Sequence, residues 1–368
     1  MLRRLLRDFT AEHVTSKRQI PSAPSQLEAG CRVWPIRRGT PLMLLAAQIV
    51  GGLALLFLGG EWLVRGAVSL ASLFKVSPLI IGLSVIAAGT SAPELFVSLV
   101  SALEGRPGIA IGNVVGSNVA NILLVLGASA LIWPVVVRRS VVRRDGLALI
   151  AATAVFCLLA IGGKIDRHFG IAMLILLFAY LYASYLAELK GTQTLSKIEE
   201  DVAELNGDRP VWLISVFLIG GFVGVIMGSN LLVEGAVGVA TNAGVSETVI
   251  GVTLVALGTS LPELAASIAA ARSRHTELAL GNVIGSCIFN LLAIVGVVST
   301  TISLDVPKEV VDFDLWVMAC ITVAFIAVSF LALRLGRAVG LGMLLLYGAY
   351  IAAQFAGLSA IPTMGKDG

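Results

Sequence analysis

Residues Gly89–Leu95 read GTSAPEL, and the same pattern returns at Gly258–Leu264 as GTSLPEL. The copies lie 169 positions apart within a longer duplication, in which Gly59–Gly127 aligns without a gap with Gly228–Gly296. Twenty-nine of the 69 aligned pairs are identical. Each copy carries a glutamate inside an apolar stretch, where an uncompensated charge is costly. This pattern predicts an ion site at the interface of two half-domains.

The rest of the chain has the composition of a membrane protein. Of its 368 residues, 57% are hydrophobic and 13% are charged, with a mean hydropathy of +0.94. Apolar runs of about 20 residues recur between polar segments, and this length crosses a bilayer. The net charge of +3 does not indicate a nucleic-acid partner. Four scattered cysteines without CxxC spacing argue against a disulfide or zinc framework.

We predict an all-α polytopic membrane protein with ten transmembrane helices. The approximate spans are 43–64, 78–104, 109–133, 146–163, 169–189, 211–233, 247–271, 277–303, 313–335 and 339–357. The polar segment 190–210 divides them five and five, so the second half must cross the membrane in the opposite orientation. The expected fold is therefore two inverted five-helix repeats, 43–189 and 211–357, followed by a tail at 358–368.

Lys and Arg are unevenly divided between alternate loops. One set of loops carries thirteen of them, including Arg65, Arg138, Arg139, Arg143 and Arg144, and the other set carries five when the N-terminus is left out. Because cytoplasmic loops are enriched in positive residues, we expect the 190–210 loop in the cytoplasm and both termini outside.

Residues 1–42 do not fit this orientation, because they hold eight Lys or Arg against three acids. No uninterrupted apolar core of signal-peptide length precedes Arg32. We interpret Met43 as the true start of the protein, with a disordered basic extension as the alternative. The mass of the intact purified protein would distinguish them.

Two prolines should break the second and seventh spans. Pro93 and Pro262 lack an N–H and clash with the carbonyl four residues earlier, at Gly89 and Gly258. We therefore expect breaks around 88–91 and 257–260. A break at membrane depth is tolerated only where the freed carbonyls face protein, water or ions.

The residues around each break supply hard oxygen atoms, which suit Na⁺ and Ca²⁺ rather than soft metals. Glu94 and Glu263 provide negative charge. Ser117 and Asn121 share one face of span three, four residues apart, and Ser286 and Asn290 repeat that spacing. The twelve candidate ligands are Ala87, Thr90, Ser91, Glu94, Ser117 and Asn121, with Ala256, Thr259, Ser260, Glu263, Ser286 and Asn290.

Structural explanations exist for parts of this pattern. Ser-x-x-Glu is also a helix capping box, and glycines four apart are ordinary packing devices. Two copies with a carboxylate at matched depth favour an ion site. Glu61 and Glu234, near the predicted ends of spans one and six, are interpreted as solvated helix ends, with gating as the alternative.

The paired GTS-x-PE motifs, each followed by GN-V-x-GS and an asparagine, resemble the α-repeats of the calcium/cation antiporter superfamily. The chain is similar to its compact prokaryotic sodium/calcium exchanger-like members over about 43–357. The resemblance implies a prokaryotic cell (inner) membrane location and the same twelve ligands. It also implies that spans two, three, seven and eight form the ion core and that spans one and six slide across it. The chain departs from some relatives at Asn290, where they have an aspartate, and at Cys287, which replaces the asparagine equivalent to Asn118.

The leading hypothesis is an antiporter that exchanges Na⁺ for Ca²⁺ by alternating access, with no resident cofactor and no obligate protein partner. The alternatives are a proton-coupled or K⁺-dependent Ca²⁺ exchanger, in which H⁺ or K⁺ is a further substrate. A channel and an intramembrane enzyme using Ser and Glu are further alternatives. The enzyme is disfavoured because no His or Lys base stands beside a nucleophile.

Overall fold

The structure is a computed structural model that describes residues 41–74, 76–103, 105–191, 209–242, 256–332 and 334–355. Most of the predicted 190–210 linker, nearly all of the 1–42 extension and the 358–368 tail lie outside these ranges. In the first half the helices are α1 Leu42–Phe74, α2 Pro78–Thr90, α3 Ala92–Leu103, α4 Pro107–Ile132, α5 Arg139–Ile161 and α6 Arg167–Gly191. In the second half they are α7 Val211–Asn242, α8 Ala256–Thr259, α9 Leu261–Arg272, α10 Thr276–Thr301, α11 Val310–Ala332 and α12 Arg337–Phe355.

Among the described residues, seven helices are long and apolar enough to cross a membrane, namely α1, α4, α5, α6, α7, α10 and α11. Taken together, α2 and α3 are long and apolar enough for an eighth span, with a bend of 43° at Ser91. The second break lies at Ser260, between α8 and α9. Both breaks lie two residues before a proline and within the predicted ranges. The N-terminal part of the predicted seventh span lies outside the described chain.

The two central helices are α4 and α10. Within their most apolar windows, 72% and 83% of the residues are buried inside the protein, against 22% for α1, α6 and α7. Each central helix contains one wider π-helical turn, at Asn121–Val125 and Asn290–Ile294. Such turns are frequent at functional sites, and here each begins at a candidate ligand. These turns have no counterpart among the predictions from the sequence.

The peripheral helices α1 and α7 pack along each other through glycines. A Cβ atom added at Gly59 would lie 2.7 Å from the backbone nitrogen of Val225, and one at Gly228 would lie 2.7 Å from that of Leu56. The two backbones therefore approach as closely as in small-residue contacts between membrane helices.

Three predicted helix ends are wrong. Helix α1 continues ten residues beyond 64 to Phe74, α7 continues to Asn242, and α5 begins at Arg139 instead of 146. Arg65 consequently lies within a helix, where it forms an ion pair with Glu61 one turn earlier. This i,i+4 pair lets charged residues remain on a helix that the sequence analysis ended too early.

Glu61 and Glu234 are therefore not at helix ends. Glu61 lies inside α1, and Glu234 lies inside α7 and accepts a hydrogen bond of 3.2 Å from Nε2 of Gln48 on α1.

Short antiparallel strand pairs tie the loops together in two groups. Val135–Val136 (β1) pairs with Arg334–Leu335 (β4), and Lys164–Ile165 (β2) pairs with Leu304–Asp305 (β3). An ion pair of 2.6 Å between Arg138 and Glu277 joins a third loop to the β1–β4 group. The loops that are joined within each group are predicted to lie on the same side of the membrane. Which group is cytoplasmic stays a prediction.

Candidate functional site

The two glutamates of the repeated motif lie near each other in the first turns of α3 and α9. Glu94 and Glu263 are both fully buried and interact electrostatically. Ser91 Oγ donates to Glu263 Oε1 at 2.9 Å, and Ser260 Oγ donates to Glu94 Oε1 at 3.4 Å. Each carboxylate is thus held by the serine of the other half. Ser260 makes no side-chain capping bond, so the capping-box explanation is wrong for the second copy.

Several buried polar atoms around these carboxylates have no hydrogen-bond partner among the described residues. They are Oε2 of Glu94 and of Glu263, Oγ of Ser286, and the amide oxygen and nitrogen of Asn121 and of Asn290. A buried polar group without a partner is destabilising by a few kcal/mol at most sites, so proteins retain such groups mainly for a purpose. A bound cation would accept electron density from the oxygen atoms of this set.

The two asparagines reach the site from the other half of the chain. The π-helical turn that begins at Asn121 contacts α9, which carries Glu263, and the turn that begins at Asn290 contacts α3, which carries Glu94. Both asparagines are fully buried, as are Ser117 and Ser286 one turn earlier on the same helix faces. The structure therefore joins the carboxylates to Ser91 and Ser260 across the two halves, and it packs the helical turns of Asn121 and Asn290 against the half-helices that carry the glutamates.

The carbonyl of Ala87 is a candidate ligand, and the structure places it in a hydrogen bond. It accepts the backbone N–H of Ser91 at 3.0 Å, so the helix break does not leave it free. In the second half, the N–H of Ser260 donates to the carbonyl of Leu257 at 3.1 Å, one residue after Ala256. The chain turns before the proline in both halves, so these bonds close part of the turn instead of leaving it open.

The carbonyl that loses its helical partner to Pro262 is that of Gly258. It accepts a hydrogen bond of 2.7 Å from Ser229 Oγ on α7. The equivalent position in the first half is Gly60, which has no hydroxyl. The broken helix of the second half is therefore bonded to the peripheral pair α1–α7 by a contact that the first half cannot make.

The threonine hydroxyls contact groups in both halves. Thr90 Oγ1 donates to the carbonyl of Ile86 at 3.1 Å and lies 3.3 Å from Asn282 Oδ1. Thr259 Oγ1 lies 3.5 Å from Asn113 Oδ1. Both threonines are buried at the breaks, as predicted, although their hydrogen atoms are directed to protein acceptors.

Asn113 and Asn282 were missed by the sequence analysis. The amide of Asn113 donates to the carbonyl of Glu94 at 3.2 Å and to Ser98 Oγ at 2.9 Å. The amide of Asn282 makes the equivalent bonds to Glu263 at 3.3 Å and to Ser267 at 2.9 Å. The signal was in the sequence, because both asparagines lie four residues before a candidate serine and are identical in the two copies.

The charge of the site is set by its two glutamates. Among the described residues, no group of three or more His, Cys, Asp or Glu side chains could hold a metal ion. Cys287 is fully buried and its Sγ lies 3.9 Å from the carbonyl oxygen of Asn118. Among the described residues, Cys157, Cys287 and Cys320 are free thiols.

The sequence matches the family described as sodium/calcium exchanger protein twice, over residues 44–186 and 213–356. It is 34% identical over 292 residues to the inner membrane protein YrbG of Escherichia coli, which covers 77% of this chain and 88% of that protein. It is 31% identical over 337 residues to the sodium/calcium exchanger MaX1 of Methanosarcina acetivorans, covering 83% and 96%. Among solved structures, the sodium-calcium exchanger NCX_Mj soaked without Na⁺ and Ca²⁺ superimposes with a TM-score of 0.75 at 33% identity, over 85% of this chain and 99% of that chain.

Proposed function

This chain belongs to the sodium/calcium exchanger family of membrane antiporters, and from that membership we propose that it exchanges Na⁺ for Ca²⁺ by alternating access. The observation that carries the proposal is the pair Glu94 and Glu263, buried together with one unpartnered oxygen each. Both cations prefer hard oxygen ligands, and two carboxylates neutralise one Ca²⁺ or two Na⁺. The two cargoes would therefore compete for the same charge.

The twelve candidate residues are proposed to bind these ions in turn. The glutamates provide charge, and the amides of Asn121 and Asn290 with the hydroxyls of Ser117 and Ser286 complete the coordination. The carbonyl of Ala87 accepts the Ser91 N–H and lies 3.5 Å from Thr90 Oγ1, whose hydrogen is directed to the closer carbonyl of Ile86, so one lone pair remains for a cation. It therefore stays in the proposed ligand set with Ala256 and the break residues Thr90, Ser91, Thr259 and Ser260.

We propose the movement of α1 and α7 across this site as the step that alternates access. An empty site carries two buried negative charges without a described cationic partner, and desolvating it further is costly. A loaded site is neutral, so the apolar helix pair can pass over it. Exchange becomes obligatory because the empty protein resists the same movement.

The remaining architecture is proposed as two inverted five-helix repeats, 43–189 and 211–357, in a prokaryotic inner membrane. Strands β1 and β3 begin 169 residues apart, and each pairs with a strand of the other half. Such an exchange is expected when two equivalent halves are related by a two-fold axis in the membrane plane. The orientation, with both termini outside and 190–210 in the cytoplasm, follows from the distribution of Lys and Arg.

Ion flux in proteoliposomes tests the exchange. Ca²⁺ uptake should follow an outward Na⁺ gradient at clamped pH, saturate, and require Na⁺ on the opposite side. Uptake that ignores Na⁺ and follows a pH gradient would reject Na⁺ coupling in favour of the proton-coupled alternative. That alternative has one specific support, because the buried glutamates have no described cationic partner and protons could neutralise them. Adding K⁺ to either side in the same assay tests K⁺ dependence.

A further inference from the structure

We propose that Asn113 and Asn282 are positioning residues that orient the ion ligands of both halves at once. The inference rests on the cation site of the proposed function. It adds two residues outside the proposed ligand set. They would act by holding the backbone of the glutamates and the hydroxyls of neighbouring residues in place.

Each asparagine fixes the half-helix that carries the glutamate of its own repeat. The amide nitrogen of Asn282 bonds the carbonyl of Glu263 and the hydroxyl of Ser267, which are one turn apart on α9. Asn113 does the same for Glu94 and Ser98 on α3, and the corresponding distances agree within 0.1 Å. Two bonds from one amide set both the height and the rotation of the half-helix, and therefore the direction of the carboxylate.

Each asparagine also belongs to the helix face that carries the other candidate ligands. Asn282, Ser286 and Asn290 follow one another at intervals of four residues on α10. Residues at this spacing lie one above the other on a helix. The asparagine therefore sets the distance between the glutamate on one helix and the serine and asparagine on the next.

The amide oxygen reaches the opposite repeat. Thr90 Oγ1 lies 3.3 Å from Asn282 Oδ1, and Thr259 Oγ1 lies 3.5 Å from Asn113 Oδ1. A hydroxyl has one hydrogen and two lone pairs, and a cation binds the lone pairs. By accepting the hydrogen of Thr259, the Asn113 amide oxygen would turn the lone pairs of that threonine toward the ion. The hydrogen of Thr90 is directed to the carbonyl of Ile86, so Asn282 fixes the position of this hydroxyl by contact. One side chain thus connects the carboxylate of one half with the hydroxyl of the other.

The test compares Asn282→Ala and Asn113→Ala with Asn118→Ala. Asn118 is a matched control because it is also a buried asparagine on α4, but its amide bonds only the carbonyl of Val114 in the same helix, at 2.7 Å. The readouts are equilibrium binding of Ca²⁺ to the purified protein, the KM for Ca²⁺ and maximal rate of Na⁺-driven uptake, and the melting temperature without Ca²⁺.

We expect Asn282→Ala to weaken Ca²⁺ binding and raise the KM by about tenfold or more, since outer residues that orient metal ligands contribute this much to affinity. Asn118→Ala should change both by less than about twofold. If Asn282→Ala does not fold, Asn113→Ala serves instead, because Asn113 is half-buried. The pair Asn113→Ala and Thr259→Val should be non-additive, since both changes disturb the same hydroxyl.

Unchanged Ca²⁺ affinity in both alanine variants would overturn the inference, and so would a lower melting temperature with an unchanged KM. These results differ from a failure of the proposed function. In that case the unaltered protein binds Ca²⁺ but shows no Na⁺-driven uptake, and the binding comparison still decides the role of the asparagines. An unaltered protein that does not bind Ca²⁺ overturns both.

Discussion

The chain has two pairs of carboxylates at equivalent positions of its two halves, 169 residues apart: Glu94 with Glu263, and Asp145 with Asp314. The surroundings of the two pairs differ. Glu94 and Glu263 are central, each held by one serine of the opposite half and each with one unpartnered oxygen. Asp145 is as deeply buried, but both of its oxygens are bonded by Arg144, at 2.9 and 2.8 Å. It also accepts the hydroxyl of Tyr180 at 3.1 Å.

The fourth carboxylate, Asp314, follows the peripheral pattern in a weaker form. It accepts the hydroxyl of Tyr350 at 3.0 Å and the amide of Gln354, both from α12 of its own half. The peripheral carboxylates therefore join neighbouring helices within one half. Burial of a carboxylate does not by itself indicate an ion site. Oxygen atoms that protein groups leave unpartnered, at a junction between halves, are the more informative feature.

The largest effect should come from neutralising the central pair. Glu94→Gln and Glu263→Gln each remove one of the two charges that balance a Ca²⁺, so Ca²⁺ uptake into proteoliposomes should fall to background while expression is retained. Normal uptake by both variants would refute the central assignment.

A second change should shift selectivity without abolishing transport. Asn290→Asp adds a third carboxylate to the site. One Ca²⁺ does not neutralise three carboxylates, whereas three Na⁺ do. The Hill coefficient for Na⁺ should rise by about one, and Na⁺ should compete better with Ca²⁺, because the extra charge attracts a further monovalent ion. An unchanged Na⁺ dependence would show that position 290 does not contribute charge to bound ions.

The peripheral pair should affect stability instead of affinity. Asp145→Asn removes the carboxylate that forms two hydrogen bonds with Arg144. The side chain of Arg144 is 26% exposed. The expected loss is about 2 kcal/mol in the free energy of unfolding, less than for a fully buried pair because water reaches the guanidinium. Thermal melting in detergent measures it, and the KM for Ca²⁺ should stay at the wild-type value. A raised KM for Ca²⁺ with an unchanged melting temperature would contradict this prediction, because Asp145 would then affect ion affinity and not stability.

The smallest effect is expected at the second peripheral carboxylate. Tyr350→Phe removes one hydrogen bond to Asp314 and should lower the free energy of unfolding by about 1 kcal/mol. Tyr182→Phe is the control, since Tyr182 is 65% exposed on α6. Equal melting temperatures of the two variants would mean that the hydrogen bond to Asp314 makes no measurable contribution to stability.

The sequence alone predicted the parts of this molecule that depend on residue type and spacing. The duplication located both glutamates, and the prolines located both breaks, because a missing N–H has a local consequence wherever it occurs. The ends of α1 and α5 could not be predicted from residue type, because charged residues next to an apolar run usually belong to a loop. Glu61 with Arg65, and Arg144 with Asp145, instead neutralise each other on the helices.

Other features could not be predicted because they depend on contacts between distant segments. The bond from Ser229 to Gly258 and the exchange of serines between the halves require the packed structure. The π-helical turns at Asn121 and Asn290 shift a hydrogen bond by one residue and have no signature in composition. Asn113 and Asn282 are an intermediate case, since their repetition and spacing were visible although their role was not.

The glycine contacts between α1 and α7 have a consequence for the transport cycle. A Cβ at Gly52 would lie 2.6 Å from the backbone nitrogen of Leu232, and one at Gly221 would lie 2.7 Å from that of Leu63. Helices in such close contact along their length are expected to travel together as one rigid body. In the proposed exchange cycle, a rigid body that covers one entrance uncovers the other in the same movement. Such a linkage would prevent a leak open to both sides at once without a separate gate.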